Sequence, residues 1–198
     1  MAMTLTGKNL FLFLSYISPF LLAFTFIFIG FINSEPLKPL IYLGALLSTM
    51  ALVVFFLKFD NTNKPSMNPM CGIFKFMDDE YYRPTISSYF ITFTLFYSLI
   101  PMIFSGNANY YLIALMLFLL VGDIVTKFSF GCVNLTGIFL AIITAVLLGS
   151  MTSYSIMSMN EDLIFFGENS SNKVSCGRPS SKTFKCSVYK NGQLLKTL

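Results

Sequence analysis

The stretch Leu10 to Ile32, LFLFLSYISPFLLAFTFIFIGFI, decides the fold. It holds 23 residues and no charge, and only Ser15, Tyr16, Ser18, Pro19 and Thr25 interrupt its apolar side chains. A helix needs about 20 such residues to cross a hydrocarbon core of about 30 Å. The run is too long for the hydrophobic region of a signal peptide, which spans about 7–15 residues, and no small-residue cleavage site follows it cleanly. Pro19 is expected to kink the helix, which membrane helices tolerate.

Outward from this run the pattern repeats. Asn33-Ser34-Glu35-Pro36 is a short turn, and Leu37 to Leu57 is a second span with Lys38 near its start. A connection this short predicts a helical hairpin. A polar loop over 58–84 follows, holding Lys58, Asp60, Lys64, Lys75, Asp78, Asp79, Glu80 and Arg83. Pro65, Pro69 and Gly72 oppose a regular helix in its first half, and Phe74, Phe76, Tyr81 and Tyr82 suit a membrane interface. Further spans are predicted over about 85–104, 110–126 and 131–154, with the turn Ser105 to Asn109 separating the first two.

Composition agrees. Hydrophobic residues make up 55% of the 198-residue chain and charged residues 11%, against about 25% charged in soluble domains. Mean hydropathy is +0.71. With so few charges a water-facing surface cannot be covered, and lipid is the simpler solvent.

From Met159 the character changes. The segment 159–198 is polar, with turn residues at Gly167, Asn169, Gly177-Arg178-Pro179 and Asn191-Gly192. Short β-type runs lie between them: Lys173 to Cys176, Thr183 to Tyr189 and Gln193 to Leu195. Asn-Gly between such runs is a strong hairpin signal. The expected fold is an all-α integral membrane bundle of about five transmembrane helices over 1–158, with a small β-type extramembrane tail over 159–198.

Five spans put the termini on opposite sides of the membrane. Lys8, Lys58, Lys64, Lys75, Arg83 and Lys127 fall on the N-terminal side, and the positive-inside rule then expects that side in the cytoplasm. The tail carries Lys173, Arg178, Lys182, Lys185, Lys190 and Lys196 with no acid among them. It suits phosphates, lipid head groups or an acidic protein face, or is a solvated tail. A net charge of +4 is too modest to argue for nucleic acid. Asn169-Ser170-Ser171 is a formal glycosylation sequon on the tail side.

The search for chemistry starts from an absence: the chain has no histidine. Mechanisms that need one as acid, base, nucleophile or ligand are excluded. Of the four cysteines, Cys71, Cys132, Cys176 and Cys186, none forms a C-x-x-C pair, so a zinc or thioredoxin-type site is not expected. Cys132 lies in an apolar stretch and reads as a small core residue. Cys176 and Cys186 flank a polar segment and are candidates for a disulfide closing a hairpin. Asp123 and Lys127, four apart, share one helix face and can neutralise each other at the membrane edge. The sharper alternative is a buried functional carboxylate. Gly131, Gly137 and Gly149 allow close helix approach, and Gly137 and Ala141, four apart, form a mild small-residue packing signal. Asp78-Asp79-Glu80 reads as a solvated acidic loop. No cofactor or metal is called for.

Lys75, Arg83-Pro84 and Thr126-Lys127 faintly resemble the phosphate-holding residues of the type-2 phosphatidic acid phosphatase family. That resemblance makes Lys75, Arg83 and Lys127 degenerate phosphate-site candidates. The family's pattern also needs two histidines. Here Pro84-Thr85-Ile86-Ser87 and Cys132-Val133-Asn134 stand in those places, and Lys75 and Arg83 are one residue too far apart. The chemistry would be lost on such a scaffold.

The tail Ser171 to Pro179, followed by Thr183-Phe184-Lys185-Cys186-Ser187-Val188-Tyr189-Lys190-Asn191-Gly192, resembles the C-terminal segment of multi-span membrane proteins of large DNA viruses of the kind infecting algae and amoebae. The resemblance covers about the last 130 residues. It implies a non-enzymatic structural component of the inner virion membrane, made on host endomembranes and tethered to a capsid or other virion membrane protein. Lys173, Arg178, Lys182, Phe184, Lys185, Tyr189 and Lys190 would make the partner contact. The runner-up expectation is a membrane enzyme or transporter acting on lipid or phosphate.

Overall fold

The computed structural model describes residues 7–57, 85–166, 175–177, 185–190 and 193–197. The chain is an all-α membrane bundle. Its helices are α1 (Gly7–Ile32), α2 (Leu37–Leu57), α3 (Ile86–Ser105), α4 (Tyr110–Ser129) and α5 (Leu135–Met159). Each contains a segment long and apolar enough to cross a membrane. A 3-10 turn, Glu161–Leu163, follows α5, and the C-terminal region adds strands β1 (Ser175–Gly177), β2 (Lys185–Lys190) and β3 (Gln193–Thr197).

The least apolar span lies innermost. α3 carries Ser87, Ser88, Tyr89, Thr92, Thr94, Tyr97, Ser98 and Ser105, all buried. The share of its span enclosed by the rest of the chain is 67%, against 17% for α4. It packs against all four other helices, most extensively α5. Lipid offers no hydrogen bonds, so the span with most hydroxyls is the one that gains most from protein neighbours. The surrounding helices turn Phe20, Phe24, Phe28, Phe118, Phe139, Ile143 and Leu147 outward. In water such a surface would be an aggregation liability; in a bilayer it is the solvated face.

The α3–α5 contact is read from small residues. Gly137, Ala141, Ala145, Gly149 and Ser153 recur every four positions along α5, and all are buried. A Cβ added at Gly149 would sit 3.0 Å from the carbonyl oxygen of Phe93. The backbones therefore approach closely there, as small-residue stripes allow in membranes. The sequence signal at Gly137 and Ala141 extends to five positions.

Two prolines lie inside spans, and each has a local compensation. A proline cannot donate to the carbonyl four residues back. For Pro101 that acceptor is Tyr97, and Ser153 of α5 donates its hydroxyl to the Tyr97 oxygen at 2.8 Å. For Pro19 the acceptor is Ser15, and Ser18 donates to the Ser15 oxygen at 3.0 Å.

The turns follow the same accounting. Gly106, at φ 68, ends α3 with its N–H on the Ile103 carbonyl, and the Asn109 side chain accepts from Leu112 N–H at the start of α4. Gly131, at φ 64, ends the connection from α4 by donating to Phe128 at 3.0 Å. Left-handed backbone at Gly131 breaks the helix, so α5 begins at Leu135 rather than near 131 as the sequence reading placed it. α4 runs on to Ser129 and α5 to Met159, a few residues beyond the spans expected from hydropathy. Residues after the 3-10 turn, which sequence assigned to the tail, return to the bundle: Ile164 and Phe165 are buried in its main core. Phe165 meets Phe26 edge-on at 5.3 Å.

The tail strands form an antiparallel sheet in the order β1-β2-β3. Cys176 lies directly opposite Cys186 in the backbone register. Lys190 pairs with Gln193 across the two-residue connection, and the register shifts between Val188 and Tyr189. The hairpin signal at Asn191-Gly192 is thus matched by paired strands on either side.

Replacing Ser153 by Ala orphans the Tyr97 carbonyl and should cost about 1–3 kcal/mol. In a Pro101→Ala background, where residue 101 regains its N–H, the same change should cost much less. Thermal unfolding of the four proteins in detergent measures this; equal costs in both backgrounds would refute the compensation.

Candidate functional site

α4 carries Asp123 and Lys127 one turn apart near its C-terminal end, and both are buried, at 2% and 4% exposure. The sequence reading of a pair that neutralises itself is met at 3.1 Å between Lys127 Nζ and Asp123 Oδ1. The pair is also more enclosed than that reading described, because three neighbouring hydroxyls surround the carboxylate. Ser15 of α1 donates to Oδ1 at 2.5 Å. Ser87 of α3 lies 3.0 Å from Oδ1 and 2.8 Å from Oδ2. Ser88 donates to Oδ2 at 2.7 Å.

Ser87 is the hinge of this cluster. Lys127 Nζ donates to its oxygen, and its own proton goes to the carboxylate. The ammonium also stands over the ring of Tyr16, 4.6 Å from its centroid. Burying an isolated carboxylate or ammonium in apolar surroundings is prohibitive. Here each charge has the other, and hydroxyls serve the remaining lone pairs. The cluster ties α1, α3 and α4 at one level of the bundle, toward the side of the α4–α5 turn. Leu12, Cys132, Val133 and Ile138 form an apolar cluster beside it, with Tyr16 and Ile124 packed against them.

Cys132 needs a correction. It is buried, as a small core residue would be, but it is also disulfide-bonded. Disulfides persist in oxidising compartments, while the basic loops on this same side favour the cytoplasm. The two signals oppose one another across this face.

A second polar feature lies at the opposite end. Glu35 and Lys38 pair at 2.6 Å across the α1–α2 turn. They line a cleft of about 240 Å³ with Asn33, Asn107 and Phe166.

The remaining sequence candidates divide cleanly. Of the three phosphate-site candidates only Lys127 is described, and its ammonium is committed to Asp123 and Ser87. Lys75 and Arg83 lie outside the described residues, as do Cys71, Lys173, Arg178, Lys182, Phe184 and the sequon. Lys185, Tyr189 and Lys190 are in β2, and Lys190 is exposed. Among the described residues no group of three or more His, Cys, Asp or Glu side chains is placed to hold a metal.

Sequence reasoning found Asp123 and Lys127 but missed Ser15, Tyr16, Ser87 and Ser88. The signal was there: Ser15 interrupts the first span and Ser87-Ser88 opens the third, both on the side where α4 ends. Compared with known proteins, the chain matches no protein family, no curated protein and no solved structure.

Replacing Asp123 by Asn or Lys127 by Met leaves one charge buried alone, and each should cost about 3–5 kcal/mol. The double replacement Asp123→Leu with Lys127→Met should recover most of that loss, read as unfolding midpoint in detergent. A double variant as unstable as the sum of the singles would contradict the pairing. Separately, Cys132 in denatured, unreduced protein should resist maleimide and label fully after reduction; prior labelling would remove the disulfide.

Proposed function

We propose that this chain is a structural membrane protein of a large DNA virus particle, anchoring the inner membrane to the capsid shell through its C-terminal tail. The observation that carries this reading is how the chain divides its polar groups. Inside the bundle, Asp123 and Lys127 are spent on each other and on neighbouring serines, so the spans read as an anchor. Outside it, the tail forms a short antiparallel sheet whose strand order leaves β1 and β3 as edges. Edge strands present unpaired backbone groups that accept a further strand.

The charge of the tail adds direction. Its basic residues suit an acidic partner face. Cys176 and Cys186 are opposite in backbone register, which supports a disulfide between β1 and β2. The viral assignment itself rests on resemblance in the tail and on the style of the spans. A membrane enzyme or transporter acting on lipid or phosphate is the second reading, favoured by one observation: ionisable residues inside a span mark function by default.

Purified particles should contain the chain in stoichiometric amount, released only by detergent, and cross-linking from Lys185 and Lys190 should capture one dominant neighbour. Absence from particles would end the tethering reading. Lipid-phosphate hydrolysis by the reconstituted protein, lost on Arg83→Ala, would replace it with the enzyme.

A further inference from the structure

Cys132 closes the α4–α5 turn. Its N–H donates to the Lys127 carbonyl at 2.9 Å, and the residue is 1% exposed, clustered with Leu12, Val133 and Ile138. It is disulfide-bonded. Lasting disulfides form where the medium is oxidising and are rare in the cytosol. The bond is therefore a record of the compartment that this face of the bundle meets.

The packing fixes which parts of the chain share that compartment. Leu12 and Tyr16, in the N-terminal half of α1, pack in the cluster of Cys132, so the start of α1 and the α4–α5 turn lie at one end. The tail leaves from the other. Phe165 and Phe166, just after α5, line a cleft with Asn33 and Glu35 of the α1–α2 turn and Asn107 of the α3–α4 turn. Cys132 and the exit of the tail are thus at opposite ends of the spans.

We infer that the chain sits in its membrane with the Cys132 end on the oxidising, exoplasmic side and the C-terminal tail on the cytoplasmic side, open to partners made in the cytoplasm. This orientation is the reverse of the one expected from the basic loops, and it does not rest on the tethering reading.

The charge bias that points the other way is shallow. Of the thirteen basic residues, six fall on the Cys132 side and seven on the tail side. One of the six, Lys127, is 4% exposed and bound to Asp123, so it is not a free loop charge. On the tail side Lys173 and Arg178 fall within about 20 residues of the end of α5, the distance over which basic residues steer insertion. The rule weighs one count against another, and here the counts nearly cancel. A disulfide is a yes-or-no observation and decides between them.

The element order also names the partner thiol. Cys71, which lies outside the described residues, follows two spans, and Cys132 follows four, so both belong to one side. Cys176 and Cys186 follow five and belong to the other. Cys71 is then the cysteine that can meet Cys132. The bond forms as the two thiols give up two protons and two electrons to a carrier disulfide of the oxidising compartment, which leaves as a dithiol. The tail cysteines are opposite in backbone register, but on the cytoplasmic side they stay thiols. Their bond is left to a tail that later meets an oxidising medium.

The test uses the full chain inserted into sealed microsomes, whose outer surface is the cytoplasmic face. A membrane-impermeant maleimide is added outside in urea, which opens the tail and leaves the vesicles closed. Cys176 and Cys186 should both label without reductant. Cys71 and Cys132 should stay unlabelled until the vesicles are dissolved and the chain is denatured and reduced. Peptide mapping without reduction should recover Cys71 joined to Cys132. In Cys71→Ser, Cys132 should label without reductant once the vesicles are dissolved, and this readout on denatured chain does not depend on folding. Tail cysteines that label only after the vesicles are opened, or only after reduction, overturn the orientation. So does a free Cys132 thiol in the unaltered chain, and a Cys132 that still needs reductant in Cys71→Ser overturns the pairing. Absence from virus particles would end the tethering reading and leave every one of these labelling results unchanged.

Discussion

Within the hydrocarbon of a bilayer no water is available to a backbone or side-chain polar group, and each must be satisfied by the chain itself. This constraint organises the bundle from its centre. α3 concentrates the hydroxyl side chains and is also the helix that the other four surround. The usual rule of apolar inside and polar outside is inverted in its reasons: outer faces are apolar because lipid touches them, and the interior takes up hydroxyls, many of which protein answers, while those of Thr92 and Tyr97 are buried with no hydrogen-bond partner among the described residues. Thr94 gives an instance. It donates to the Phe90 carbonyl at 2.8 Å, so its 2.7 Å contact with Tyr42 must take the tyrosine proton. One threonine thereby satisfies its own helix and clasps α2.

The same constraint explains where proline is admitted. Pro101 and Pro19 each free a carbonyl inside a span, and in each case a serine is within reach of it. The solutions differ in consequence. Ser18 serves its own helix and leaves α1 self-contained. Ser153 belongs to α5, so the defect in α3 becomes an interhelical bond one turn from a close backbone approach, at Gly149. Helix association in lipid has no hydrophobic driving force between spans. Small residues that let backbones meet, together with a hydrogen bond that only the assembled pair can make, supply what is missing.

Much of this was legible in the sequence, and the boundary of legibility has a physical cause. The five spans follow from run length, since about 20 apolar residues admit few other structures. The tail hairpin follows from Asn191-Gly192 between β-type runs. The stripe Gly137, Ala141, Ala145, Gly149, Ser153 lies in plain view at a spacing of four, although only Gly137, Ala141 and Gly149 attract notice by composition. What hydropathy does not carry is rotation. Serine is tolerated on any face of a membrane helix, so Ser15, Ser87 and Ser88 look like ordinary interruptions until three helices turn them toward one carboxylate. Likewise Ile164 and Phe165 sit after a polar turn and read as tail, because nothing local says that the chain folds back. The disulfide at Cys132 had no local signal either, as its nearest neighbours in sequence are apolar.

The two ends of the bundle are closed by different means. Toward the tail, an unbroken series of rings runs inward: Phe165 on Phe26, Phe26 on Tyr42, Tyr42 on Tyr97, and Tyr97 on Phe93, with centroid separations of 5.1–5.9 Å. Aromatic packing of this kind has one good arrangement and resists partial opening. Toward the α4–α5 turn, closure rests on the bonds among Asp123, Lys127, Ser15, Ser87 and Ser88, with the apolar cluster of Leu12, Cys132, Val133 and Ile138 beside them. The ion pair, with the serines that answer it, is thus the tie among α1, α3 and α4.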